Sequence, residues 1–218
     1  MFLRVFVAPI ASCGLLLAGC SSDDDAGQPD SDAPVVQLGA PGETNRVLTE
    51  DETEAIDAPT HTEADVDFVH GMIAHHQQAL LMTALVPERS ERDDLPLLAE
   101  RMEVSQRDEI DQLERWLAER DVQLPEGDDH AAHTGLMPGM LSTEELDGLR
   151  AAQGAAFDRL FLESMIRHHQ GAVIMVETLL TGGAGGQEPQ IFQMAQHMDA
   201  DQRVEISRMT SLLTGLDS

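Results

Sequence analysis

The stretch MIAHHQQALLM occupies residues 72–82, and a close copy, MIRHHQGAVIM, occupies residues 165–175. In both stretches apolar side chains recur at intervals of three and four residues, which is the period of an α-helix with one buried face. The paired histidines and the flanking methionines fall on or beside that face, because a helix turns by about 100° per residue. The two stretches therefore predict two helices that carry imidazole and thioether groups into a protein interior.

The similarity between the two halves of the chain extends beyond these stretches. Residues between 65 and 82 return 93 positions later, and residues between 99 and 110 return 96 positions later. Each half is therefore predicted to be a helical hairpin of the same kind. Because one hairpin cannot bury its apolar face alone, the repeat predicts two hairpins packed as a four-helix bundle, an all-α fold. No segment has the alternating pattern of a β-strand, so we expect no strands.

Capping and helix-breaking residues predict where the four helices begin and end. Residues 60–63 and 142–145 have the spacing of capping boxes, which favour the start of a helix. Pro87 and Pro125 follow the first two helical patterns, and proline disfavours continuation of a helix. The four predicted helices span about residues 60–86, 94–124, 142–181 and 188–215.

The N-terminus has the features of a processing signal. Residues 1–19 contain one early arginine and an apolar run that is too short to cross a membrane. The run ends in Leu-Ala-Gly-Cys at residues 17–20, which resembles a bacterial lipobox. That resemblance implies cleavage before Cys20 and a lipid on its sulfur, which would hold the protein at a membrane in the cell envelope. Residues 20–58 are predicted to be a disordered acidic tether, and residues 59–218 the helical bundle.

Composition and charge exclude several classes of function. The 218-residue chain has 13 cationic residues, all arginine, against 40 Asp and Glu, so its net charge is −27. Phosphate backbones require a positive surface, so we expect no nucleic-acid partner. After lipidation of Cys20 and removal of Cys13 the mature chain would have no free thiol. No serine lies in a nucleophile elbow, so nucleophilic catalysis has no support and we name no catalytic residues. Whether the protein is an enzyme stays open, with a binding protein favoured.

The inward faces of the predicted helices carry an unusual set of polar groups. On the first and third helices these are imidazoles, thioethers and one carboxylate each; on the second and fourth they are a methionine and a glutamate within apolar stripes. A buried carboxylate requires a partner, which a facing histidine or a metal would supply. The inward set comprises Asp65, Met72, His75, His76, Met82, Met102, Glu109, Asp158, Met165, His168, His169, Met175, Met198 and Glu205.

Together these motifs resemble the DUF305 family. The shared elements are the doubled MIxHHxxAxxM pattern, MPGM at residues 137–140, FD at 157–158 and the QRxEI elements, and they cover about residues 60–215. The resemblance implies a ferritin-like four-helix bundle. It also implies an association with copper, since some relatives are linked to copper binding or copper tolerance in the cell envelope.

The donor set favours a soft metal ion over iron. Di-iron sites in such bundles use Glu-x-x-His pairs, whereas here Met72 stands three residues before His75 and Met165 three before His168. Thioether and imidazole donors together suit Cu(I), and by the same softness Ag(I). The preferred ligands are His76 and His169 with Met72 and Met165, because a spacing of four residues places each pair on one side of its helix. A second set of predicted ligands consists of His75, His168, Met82 and Met175. The residues predicted to support or complete the site are Asp65, Glu109, Asp158, Glu205, Met102 and Met198. A looser second metal site is predicted at His130, His133, Met137 and Met140.

Three functions are consistent with these residues. The first is a lipid-anchored binding protein that sequesters copper or passes it to a metal-exchange partner. The second is an oxidase of the ferritin-like type with a di-iron or copper centre. The third is a structural or partner-binding lipoprotein in which methionines fill gaps in the core and the histidines only form hydrogen bonds. The paired histidines on two repeated helices favour the first.

Overall fold

The computed structural model describes residues 35–37, 44–49, 59–124 and 137–216, and the chain divides into two units, Met1–Ile56 and Asp57–Ser218. In the first unit, β1 (Val36–Gln37) and β2 (Arg46–Val47) form an antiparallel pair in which Val36 faces Val47. The prediction of no strands is therefore wrong here. Two residues a strand are too few for an alternating pattern to show in the sequence.

The second unit is helical throughout its regular structure. Within its described residues there are two short helices and four long ones: α1 (Glu63–Thr83), α2 (Val86–Arg89), α3 (Leu95–Ala118), α4 (Thr143–Ala151), α5 (Gly154–Thr181) and α6 (Pro189–Gly215). The prediction of an all-α class is confirmed for this unit. No helix in the described part of the chain is long and apolar enough to span a membrane.

The N-cap of the first long helix is Thr62, two residues after the predicted N-cap at residue 60. The capping box is formed by Thr62 and Asp65: the Asp65 amide donates to the Thr62 hydroxyl at 3.2 Å, and the Thr62 amide donates to the Asp65 carboxylate at 2.8 Å. The predicted box at residues 60–63 is therefore wrong. The second oxygen of Asp65 accepts from the Gly186 amide at 2.6 Å, so a contact distant in sequence helps to fix the start of the helix.

The third predicted helix is divided into two. The capping box of Ser142 and Glu145 is present, but α4 ends at Ala151 and α5 begins at Gly154. Ala152 and Gln153 are extended, and Gly154 has a φ of 58°, a left-handed conformation that favours glycine. The prediction of one continuous helix is wrong because the helical apolar pattern continues across this turn. The predicted starts of α3 at Asp94 and of α6 at Glu188 agree with the structure.

The long helices pack so that the two histidine motifs meet. α1 contacts α3 and α5, α5 contacts α6, and α3 contacts α6. The buried apolar side chains form two clusters, one with Met72 and Met198 and the other with Met102 and Met165. Along α1 and α5, each histidine pair stands between methionines that belong to different clusters. The imidazoles therefore lie deep in the helical unit.

Candidate metal centre

Four buried histidines form the centre of the helical unit. The rings of His75 and His168, from α1 and α5, lie with centroids 3.8 Å apart and planes inclined by 38°. The neighbouring rings of His76 and His169 lie 6.4 and 6.3 Å from His75 and His168 respectively. None of the four is more than 1% exposed. The two copies of the motif thus converge, as the repeat predicted.

Two glutamates hold His76 and His169, which we call the inner histidines, in place. His76 Nε2 and the Glu109 carboxylate lie 2.6 Å apart, and His169 Nε2 and the Glu205 carboxylate lie at the same distance. The glutamates come from α3 and α6, where each interrupts an apolar stripe, and both are 7% exposed. A facing histidine is therefore the partner that each buried carboxylate requires.

Each of the four imidazoles keeps one buried nitrogen without a hydrogen-bond partner among the described residues. These atoms are Nδ1 of His75, His76 and His169, and Nε2 of His168. In three of the rings the opposite nitrogen, Nε2, makes a hydrogen bond. A neutral imidazole that donates through Nε2 has its lone pair on Nδ1. The arrangement therefore presents lone pairs inside the protein that hydrogen bonds do not use.

Burial keeps His75 and His168 neutral. Desolvation, together with the charge of His76 and, more weakly, of His169, lowers the pKa of His75 to about 3, although the hydrogen bond to Pro138 opposes this. Desolvation also lowers the pKa of His168 well below its ordinary value, and the charges of His75 and His169 add to the effect. At neutral pH these two rings are uncharged, so a metal ion need not compete with the second proton of an imidazolium.

Residues 137–141, which we call the strap, cover the histidines. His75 Nε2 donates to the Pro138 carbonyl at 3.0 Å. The Gln78 side chain donates to the Leu141 carbonyl at 2.9 Å and accepts from the Leu141 amide at 2.7 Å. Gly171 permits the closest approach, because a Cβ there would lie 1.9 Å from the Pro138 oxygen. The strap is thus bound to both motif-bearing helices.

Methionines surround the histidines on both sides. Met72 and Met175 pack with Met198 in one cluster, whereas Met82 and Met165 pack with Met102 in the other. The N-terminal methionine of one motif therefore shares a cluster with the C-terminal methionine of the other. All are buried except Met175, which is partly buried.

The strap adds a thioether to one of these clusters. A Cβ placed on Gly71 would lie 3.2 Å from Met137 Sδ and 3.3 Å from Met175 Cε, so both side chains reach this glycine. Met140 is half-buried in the strap, and its amide donates to the Met137 carbonyl at 3.2 Å. The predicted second site therefore contributes Met137 to the surroundings of the main centre. His130, His133 and Cys20 lie outside the described residues.

The predicted aspartates lie in unlike surroundings. Asp65 is engaged by the cap of α1 and by the Gly186 amide, which leaves it little capacity as a ligand. Asp158 is fully buried, and neither of its carboxylate oxygens has a hydrogen-bond partner in the described part of the chain. Across those same residues, no three His, Cys, Asp or Glu side chains are grouped closely enough to hold a metal by themselves. A metal at this centre therefore needs thioether ligands or a reorientation of the rings.

Three residues of the centre were not predicted from the sequence. Gln78, Pro138 and Gly171 form the contacts between the strap and the helices. Gly171 offered a signal: it takes the place of Gln78 in the second copy of the motif, and an isolated helical glycine often marks a close approach of another backbone.

The family of this chain follows from its sequence pattern over the same residues. The pattern of the DUF305 family, described as a domain of unknown function, matches residues 65–213. The chain belongs to the DUF305 family.

Solved structures of DUF305 proteins are similar to the chain. A DUF305 fragment from Deinococcus radiodurans is 35% identical, with 72% of this chain and 99% of that one aligned and a TM-score of 0.62. A DUF305 protein from Streptomyces coelicolor, described as secreted, is 26% identical over 71% and 94% of the two chains, with a TM-score of 0.63. CopM in its Cu(I)-bound form is 28% identical over 69% and 96%, with a TM-score of 0.56, and Cu(II)-bound and Ag-bound forms of it match as well. No curated protein sequence matches the chain.

Proposed function

We propose that this DUF305 protein binds copper as Cu(I), and silver by the same chemistry, outside the cytoplasm, and sequesters the ion or passes it on. One observation carries the proposal: four buried imidazoles each keep a nitrogen without a hydrogen-bond partner among the described residues. Unpaired buried polar atoms are costly, so they are usually retained for a purpose. Coordination of a metal ion would satisfy them.

The inner histidines are the preferred ligands. Glu109 and Glu205 accept from Nε2 of His76 and His169, which places the lone pair of each neutral ring on Nδ1. A ligating histidine nearly always donates its other N–H to a carboxylate or carbonyl, which sets its tautomer and orientation. Met72 and Met165, both fully buried, stand one helical turn before these histidines.

His75 and His168 are the second pair of ligands. His75 has the same arrangement as the inner histidines, with the Pro138 carbonyl in place of a carboxylate. Both rings are neutral at physiological pH, as a ligand must be. Their proposed thioether ligands are Met82 and Met175, one from each of the two clusters, and Met137 of the strap lies beside Met175.

The available donor atoms favour copper over iron. The buried groups next to the imidazoles are neutral thioethers, which stabilise Cu(I) and Ag(I), whereas iron in helical bundles is held by several carboxylates. Glu109 and Glu205 are already bonded to histidines, and Asp65 caps a helix. The similarity to CopM, for which Cu(I)-bound and Ag-bound forms are known, supports the same conclusion. These features favour a binding protein over an oxidase.

The contacts between the long helices support a ferritin-like bundle of two repeated hairpins. α1 with α3 and α5 with α6 are the consecutive pairs, and contacts of α1 with α5 and of α3 with α6 join them. Such bundles build metal sites from side chains on facing helices. In this fold each hairpin contributes one histidine pair and one glutamate to the centre.

Attachment to a membrane through Cys20 completes the proposal. The residues before Cys20 match a lipobox, and a DUF305 relative is described as secreted. A lipid at this position would keep the helical unit in the cell envelope. Mass spectrometry of the mature N-terminus checks this part independently, since an unmodified or uncleaved N-terminus would contradict it.

Metal uptake tests the centre directly. The purified protein is titrated with Cu(I) against a competing chelator, alongside H76Q/H169Q, H75Q/H168Q and the combined variant. We expect either pair to weaken Cu(I) binding by about tenfold or more, and the combined variant to lose it. The exposed His61→Gln serves as the control. Full uptake by the combined variant would contradict the proposal and favour the structural role.

A further inference from the structure

Two methionine side chains meet at the edge of the histidine centre. A Cβ built on Gly71 of α1 would lie 3.2 Å from Sδ of Met137 and 3.3 Å from Cε of Met175. The ends of both side chains therefore reach the same point on α1, although Met137 belongs to the strap and Met175 to α5. We call Met137 and Met175 the outer methionines.

The outer methionines reach the surface of the protein, unlike the other methionines of the two histidine motifs. Both are only partly buried. Met72, Met82 and Met165, in contrast, are each 0% exposed. A metal ion in solution can therefore contact the outer methionines in the folded protein, whereas it cannot contact the other three.

The outer methionines also lie next to His75. Gly71, which both of them reach, precedes His75 by one helical turn, or about 6 Å along the axis of α1. In the strap, Met137 is followed by Pro138, whose carbonyl accepts the hydrogen bond from His75 Nε2 at 3.0 Å. An ion held by the outer methionines would therefore be about one helical turn from the first imidazole.

The internal repeat shows that this accessible pair exists on one side of the centre and has no equal on the other. At the offset of 93 residues, Met175 corresponds to Met82, which is fully buried in the other cluster. Gly71 corresponds to Ser164, which is buried. The duplication therefore does not account for the accessibility of Met175, and the strap supplies its neighbour Met137.

We infer that the outer methionines are the exchange site of the centre, where Cu(I) first binds from solution and from which it is passed on. The inference rests on the proposed function and adds the point at which the ion enters and leaves. Thioethers are soft, neutral donors on flexible side chains, so they suit a transient Cu(I) site. During transfer one bond from copper to sulfur breaks as a bond to the next donor forms, and copper stays Cu(I).

The rates of metal exchange test the inference. Stopped-flow absorbance follows the uptake of Cu(I) from a weak coloured chelator, and its removal by an excess of a strong one. We expect Met137→Leu to slow both uptake and removal by about tenfold, because it hinders passage in both directions. Leucine conserves the volume of methionine, so the variant should fold. The buried Met194→Leu is the matched control and should exchange Cu(I) at the wild-type rates.

The repeat supplies a second comparison. Met82→Leu removes a proposed ligand that solvent does not reach, so we expect faster removal of Cu(I) without slower uptake. Wild-type rates in Met137→Leu would overturn the exchange site, as would equally slow uptake in Met82→Leu. The amount of Cu(I) bound at equilibrium reports on the proposed function separately. A wild-type protein that binds no Cu(I) would contradict that function, whereas full binding with unchanged rates in Met137→Leu would contradict the exchange site alone.

Discussion

The two copies of the histidine motif are alike at their inner histidines. His76 with Glu109 and His169 with Glu205 have the same partner atoms at the same 2.6 Å separation. A hydrogen bond between helices α1 and α3 in one copy is thus reproduced between α5 and α6 in the other. The repeat therefore preserves the hydrogen bond that orients the ring of each inner histidine.

The two copies differ where the strap covers them. Gln78 binds the Leu141 backbone through its side chain, whereas Gly171, at the corresponding position, lets Pro138 come into contact. His75 also donates to Pro138, whereas Nε2 of His168 has no partner within the described residues. A single strap cannot be symmetric about two helices, so the repeated positions have taken complementary roles. The two copies therefore share the hydrogen bonds between histidine and glutamate, but they differ in the contacts by which the strap covers them.

The largest loss of stability should come from removing either of the two glutamates that bond the inner histidines. Glu109→Ala and Glu205→Ala each leave a buried histidine without its partner, and we expect each to lower the free energy of unfolding by about 3 kcal/mol. Urea denaturation measures this, with the exposed Glu114→Ala as the control. A loss in only one of the two variants would show that the copies are not equivalent.

Acid should destabilise the metal-free protein through His75. The pKa of His75 is lowered to about 3 in the folded protein, so the unfolded chain binds more protons between that value and about pH 6.5. Stability from this group is complete above pH 6.5 and is lost as pH falls, on the order of 2 kcal/mol by pH 5. Denaturation at pH 7.5 and 5 in the presence of a chelator checks the sign. The His75→Gln variant should lose less on acidification, and an equal loss would contradict the assignment.

Enlarging Gly171 should displace the strap. In Gly171→Ala the new methyl group meets the Pro138 oxygen, and we expect a loss of about 2 kcal/mol in stability together with weaker Cu(I) binding. Gly148→Ala is the matched control, since it lies in α4 with nothing within 4 Å of a new Cβ. That change should stabilise the protein slightly, by about 0.5–1 kcal/mol. Equal stabilisation by both would mean that the strap does not rest on Gly171.

The smallest effect should follow from Gln78→Ala. This change leaves the Leu141 amide and carbonyl without their partner, at a cost of about 1 kcal/mol, partly recovered by hydration. Faster hydrogen exchange at the Leu141 amide is the sensitive measurement. The exposed neighbour Gln77→Ala should leave that amide unchanged.

Much of the helical unit could be predicted because its signals are periodic and local. The apolar period located the long helices, and the predicted starts near Asp94 and Glu188 agree with the structure. The same apolar period predicted one helix across Ala152 and Gln153, because an apolar face can continue across two helices that meet at a glycine. The start of α1 was misplaced because the capping box that forms is that of Thr62 and Asp65, and the Asp65 carboxylate is also bound by the Gly186 amide, which is distant in sequence.

The centre was predictable in its residue types but not in its contacts. Repetition of the motif indicated which histidines and methionines are buried, because each helix turns by a fixed angle per residue. It did not indicate that Met72 shares a cluster with Met175 rather than with Met165, which depends on how α1 and α5 cross. Nor did it reveal the strap, whose binding to Gln78 and Gly171 joins residues about sixty and thirty positions apart.

Burial of the four histidines has a consequence for metal exchange. None of them is more than 1% exposed, and the strap is bound to both helices that carry them. An ion proposed for this centre can leave only when this part of the protein opens, so we expect its release to be limited by a local opening of the fold as well as by the metal–ligand bonds.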